Sequence, residues 1–110
     1  MDLESRYKAA SAKYFAQNPA VSREIEAAIA ANLAGIQAVG STVEQEREQR
    51  QIQVFAAEAK ARGLDIYELV IRLMADSPEQ ALEWRLEHHR QIADSLGMDW
   101  GQYKTLNLIG

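Results

Sequence analysis

His88 and His89 are the only histidines in the chain, and no cysteine accompanies them. Neighbouring residues on a helix point about 100° apart, so the two imidazoles cannot hold one metal ion from one face. A carboxylate-bridged di-metal bundle would need Glu-x-x-His on two helices, and no such pair occurs here. Without cysteine there is also no disulfide framework, thiolate zinc site or thiol nucleophile. No Gly-x-Ser-x-Gly elbow, phosphate-cradling glycine loop or dinucleotide fingerprint is present. Glu44 with Glu48, and Glu83 with Glu87, stand at helical spacing but on polar faces, which reads as solvated surface. The sequence therefore predicts no catalytic residue, no metal site and no cofactor, and the protein is read as a non-enzyme.

Two other patterns have functional content. Residues 91–106, Gln-Ile-Ala-Asp-Ser-Leu-Gly-Met-Asp-Trp-Gly-Gln-Tyr-Lys-Thr-Leu, look like a helix-turn-helix, with Ala93 where two helices would touch and Gly97 in the turn. Such a motif reads DNA through polar and basic side chains on its second helix, here Gln102, Lys104 and Asn107. Against that role, Lys104 is the one base of this helix, and an acidic helix precedes it. The other pattern is a stripe of Ala81, Trp84, His88 and Ile92 at spacings of three, four and four. It lies almost opposite a first stripe on the same helix, Leu82, Leu86, His89, Ala93 and Leu96, which is expected to be core with Leu86 at its centre and His89 hydrogen-bonded to a neighbour. Large aromatics left in water commonly mark interfaces, so Trp84, His88 and Ile92, with Trp100 and Tyr103 of the last helix, are the candidate interaction residues. Whether Trp84 is core or interface stays open.

Helices must position all of these residues, and helical periodicity runs almost from end to end. In the first segment Leu3, Tyr7, Ala10, Tyr14 and Phe15 share a face, and Asn18-Pro19 ends that helix and opens the next, with Asn18 able to cap. Val21, Ile25, Ala28, Ile29, Leu33 and Ile36 form the face of the second helix, which stops at Gly35 or at Gly40. Ser41 with Glu44, or Thr42 with Gln45, makes a capping box for a third helix running to Gly63. Its stripe is Ile52, Phe55, Ala56 and Ala59, and its polar first half is expected to project into solvent. Asp65 and Glu68 box a short helix, apolar on most of its surface, in which Glu68 and Arg72 form an acid-first pair. Ser77-Pro78-Glu79-Gln80 begins a long helix closed by Gly97, and Asp99 with Gln102 caps a last short one.

The sum is an all-α fold, a compact bundle of five or six helices in a single domain over residues 1–110. The chain of 110 residues carries 16 acids and 12 bases. Residues 1–63 are balanced in charge, and the whole deficit of −4 falls in residues 64–110. An acidic half repels phosphate backbones, which makes nucleic acid and anionic membranes poorer partners than a protein surface. The charged N-terminal residues and the lack of a long apolar run suit neither a secretory signal nor a membrane span, so a cytoplasmic setting is expected.

Ala75-Asp76-Ser77-Pro78-Glu79, Leu86-Glu87-His88-His89-Arg90, Leu96-Gly97-Met98-Asp99-Trp100 and Tyr103-Lys104-Thr105-Leu106-Asn107 together resemble a group of bacterial helical proteins of about 100 residues and unknown function. The resemblance covers the C-terminal half. It implies a bacterial cytosolic origin and brings no ligand or catalytic residue with it. The expected function is an acidic helical adaptor or interaction module for another protein or for a second copy of itself as a homodimer. The alternative is a DNA-binding regulator using residues 91–106.

Overall fold

A computed structural model of the chain describes residues 2–107. These residues form helices and turns, with no strand among them. The helices are α1 (Leu3–Gln17), α2 (Pro19–Ala31), α3 (Leu33–Ala38), α4 (Val43–Ala61), α5 (Ile66–Met74), α6 (Pro78–Ser95) and α7 (Trp100–Leu106). Among the described residues there are seven rather than five or six, because the second predicted helix is broken. Among the described residues, no helix is long and apolar enough to cross a membrane. The helices gather into two compact units, residues 1–74 and residues 75–110.

The break in the second predicted helix occurs before either glycine. Asn32 leaves helical geometry at φ −128°, ψ 28°, and the chain restarts at Leu33. A β-carbon on Gly35 would collide with the Asn32 side chain, so Gly35 supplies the room in which that side chain sits. The restart resets the helical phase. Leu33 turns outward while Ile36 is buried. Gly40, at φ +74°, then ends α3, and Ser41 N–H reaches back to the Ile36 carbonyl.

The first unit is built around Phe55. Its ring meets Tyr7 edge-on at 5.4 Å and Tyr14 at 5.9 Å, and around it lie Ala10, Phe15, Ile25, Ile29, Ala59, Leu69 and Val70. Of the predicted α1 stripe, Ala10, Tyr14 and Phe15 are buried and Leu3 and Tyr7 half-buried, and α5 is buried through Leu69, Val70 and Ile71. Ile52 is not part of this core and remains 46% exposed. The first half of α4 is also held closer than expected. Val43 packs against the core, and the Arg47 guanidinium grips both carboxylate oxygens of Glu26 on α2. Thr42 and Gln45 form the reciprocal capping box, which settles the choice between the two candidate pairs. Asn18 does not cap α2. Its side-chain amide donates back to the Tyr14 carbonyl and so closes α1.

The second unit is a helical corner. Ser77 accepts from Gln80 N–H at the start of α6, while the Gln80 side chain accepts from Asp76 N–H. Gly97, at φ +67°, permits the turn, and Met98 N–H bonds to the Ala93 carbonyl. Asp99 then caps α7. By helical rise α6 extends about 27 Å and α7 about 10 Å, so α7 is too short to cover α6 along its length.

Candidate functional site

That mismatch of lengths leaves the first half of α6 beyond the reach of α7. The residues expected to form its core stripe, Leu82, Leu86, His89, Ala93 and Leu96, alternate in spacing by four and three, the spacing of a helix-packing seam. The seam is filled only where His89 and Ala93 meet α7. Ala93 is buried, and His89 Nδ1 hydrogen-bonds the Tyr103 hydroxyl at 2.9 Å. Leu82, by contrast, is 56% exposed and Leu96 63% exposed. Leu86 is only half-buried and lies in a shallow concavity of about 460 Å³ with Glu83, Glu87, Arg90, Gln91 and Asp94. The expectation of a buried stripe centred on Leu86 is therefore corrected: Leu82 and Leu96 are exposed and only Ala93 is buried, and within its unit no second long helix packs on the half around Leu82 and Leu86.

The α6–α7 corner also gathers cations on an indole. Trp100 stacks on Tyr103 at 5.7 Å with 13° between the planes, the Arg90 guanidinium lies 5.1 Å from the Trp100 ring centre, and Lys104 Nζ lies at 5.7 Å. Such contacts are favoured because the face of an indole carries negative electrostatic potential. Here they fix two of the three bases of residues 75–110.

The sequence-predicted interaction residues are thus distributed unevenly. Tyr103 is 4% exposed and braces Trp100 and His89 from within. Trp100 is half-buried under its cations, and Trp84, His88 and Ile92 are half-buried on the side of α6 away from Leu86. Of the residues named for DNA reading, Lys104 lies over Trp100 and Asn107 donates to the Tyr103 carbonyl, closing α7, while Gln102 is exposed. Among the described residues, no three His, Asp or Glu side chains converge as a metal-ligating set.

A second concavity, of about 430 Å³, lies between α1 and α4, with Tyr7, Phe15 and Ile52 among its lining residues and Glu4, Lys8 and Glu48 beside them. Sequence reasoning missed it because Ile52 occupies a core-stripe position. The visible signal was the switch from polar to apolar along that face of α4, from Glu44 and Glu48 to Ile52.

A family model matches residues 1–109 of the chain. The chain belongs to DUF6388, a family of unknown function. The match spans both units of this DUF6388 chain, so kinship is not confined to the C-terminal half. No curated protein and no solved structure matches it.

Proposed function

We propose that this DUF6388 chain is a small acidic interaction module that takes a helical segment of another protein onto the open half of the α6 seam. The observation that carries this reading is Leu82, 56% exposed, beside half-buried Leu86 on a seam that farther along is buried at Ala93 and tied to Tyr103 at His89. A helix face with leucines in four-three spacing gains stability when a second helix fills it, and exposed apolar seams of this kind mark binding surfaces. Supporting it, α7 stiffens one end of the seam and Ser77 caps the other, so the docking face is ordered before a partner arrives. The α1–α4 concavity is the weaker choice, because its Glu4 is already paired with Lys8 at 3.2 Å.

A photoreactive residue placed at position 82 in cells of the native host tests the proposal. It should form a defined crosslinked product that disappears when Leu86→Asp is added, and the same residue at exposed position 24 should not form it. No product at position 82, or one indifferent to Leu86→Asp, would count against α6 as the docking face.

A further inference from the structure

We infer that the occupant of the α6 face is a basic amphipathic helix, a partner whose apolar residues cover Leu82 and Leu86 and whose lysines or arginines meet Glu79, Glu83 and Asp94. This inference rests on the reading of α6 as a docking face and adds the chemistry of the partner. The three carboxylates project within about 80° of Leu86 around the helix and border the leucines on one side. None of the three makes an ion pair or a side-chain hydrogen bond among the described residues.

The contrast with residues 1–74 gives that observation its weight. There, five of the ten acids, Glu4, Glu26, Glu46, Glu58 and Glu68, each pair with a lysine or arginine of the same unit. Residues 75–110 hold six acids and only three bases. Two of those bases, Arg90 and Lys104, are drawn to the Trp100 ring, although Arg90 projects from the acidic side of α6 and lines the same concavity as Leu86. The result is an apolar strip flanked by negative charge that the unit itself leaves unbalanced. Complementary charge steers and selects a partner, whereas like charges brought together are costly. A second copy presenting this same face would set acids against acids, so a basic helix is the better occupant.

The test uses the full chain, isotopically labelled, and three synthetic helical peptides as long as α6. The first has leucines alternating at spacings of three and four with lysines beside them. The second keeps the leucines and replaces the lysines by glutamates, and the third keeps the lysines and replaces the leucines by serines. The first should bind, shift the amide resonances of α6, and weaken steeply as salt is raised. The other two should bind about tenfold more weakly or less. Glu83→Lys with Asp94→Lys should invert the preference between the first two peptides, and Leu82→Asp should abolish binding of the first.

Equal binding of the first two peptides at Leu82 and Leu86 would overturn the basic occupant while leaving α6 as a docking face. Binding of the lysine–serine peptide as tight as that of the first would reduce the attraction to charge alone and overturn the proposal. A sedimenting dimer that Leu82→Asp dissociates would make a second copy the occupant. If no peptide shifts α6 and the chain sediments as a monomer, both readings fall.

Discussion

Phe55 and Leu86 both stand at stripe positions of long helices, yet their surroundings set different consequences for truncation. Phe55 is fully buried between two tyrosine rings, so Phe55→Ala opens a cavity in close-packed surroundings and should destabilise the protein by about 3–5 kcal/mol. Leu86 already borders solvent, and Leu86→Ala should cost at most about 1 kcal/mol, well short of the loss typical of a buried leucine. Chemical denaturation of the two variants measures both, and a large loss at Leu86 would show that its face is covered in solution. Trp100→Ala has a less local effect. It releases Arg90 from the indole and lets the guanidinium neutralise the neighbouring carboxylates, so the lysine–leucine peptide should bind this variant more weakly than the parent, as titration calorimetry would report.

At the scale of elements, caps and ion pairs determine how the helices begin and meet. Thr42→Ala removes the acceptor for Gln45 N–H and half of a reciprocal box, and should lower stability by about 1 kcal/mol in a denaturant titration. The Glu26–Arg47 pair ties α2 to α4, and its hydrogen bond from Arg47 holds the Glu26 carboxyl below its ordinary value of 4.5. Because the folded value is the lower one, the pair's contribution is fully present above pH 4.5 and is lost as pH falls through the folded value. Glu26→Gln should therefore flatten part of the acid limb of a stability–pH curve at low salt, and a curve unchanged by the substitution would show that the exposed pair contributes nothing.

Turn chemistry of this kind was the most legible part of the sequence. Pro19, Pro78, Gly63 and Gly97 mark boundaries that the structure keeps, because each acts through its own backbone geometry. Asn32 was hidden because its break depends on a side chain filling the space above Gly35. The candidate site was legible only in part. Spacing grouped Leu82, Leu86, His89, Ala93 and Leu96 on one face and led to the His89 hydrogen bond, but of these five only Ala93 is buried, because periodicity reports which residues share a face and not what covers it.

Over the whole molecule, burial is concentrated in one unit. Of the buried apolar residues described, only Ala93 and Tyr103 belong to residues 75–110. Local opening costs least where few apolar contacts must be broken, so amides of α1, α4 and α5 should exchange with solvent most slowly and those of α6 and α7 faster. Uniform exchange across all seven helices would mean instead that the second unit opens only by global unfolding. A ligand that binds only the closed form of α6 adds RT ln(1 + [L]/Kd) to the cost of opening it. At about 100 times its dissociation constant, the lysine–leucine peptide should add about 2.7 kcal/mol and slow exchange of α6 amides about a hundredfold. Protection in α1 and α4 should then stay as it was, because their opening does not require the peptide to leave. Slowing spread evenly over all helices would show that the peptide stabilises the chain as a whole, and slowing confined to α1 and α4 would move the docking surface to the concavity around Ile52.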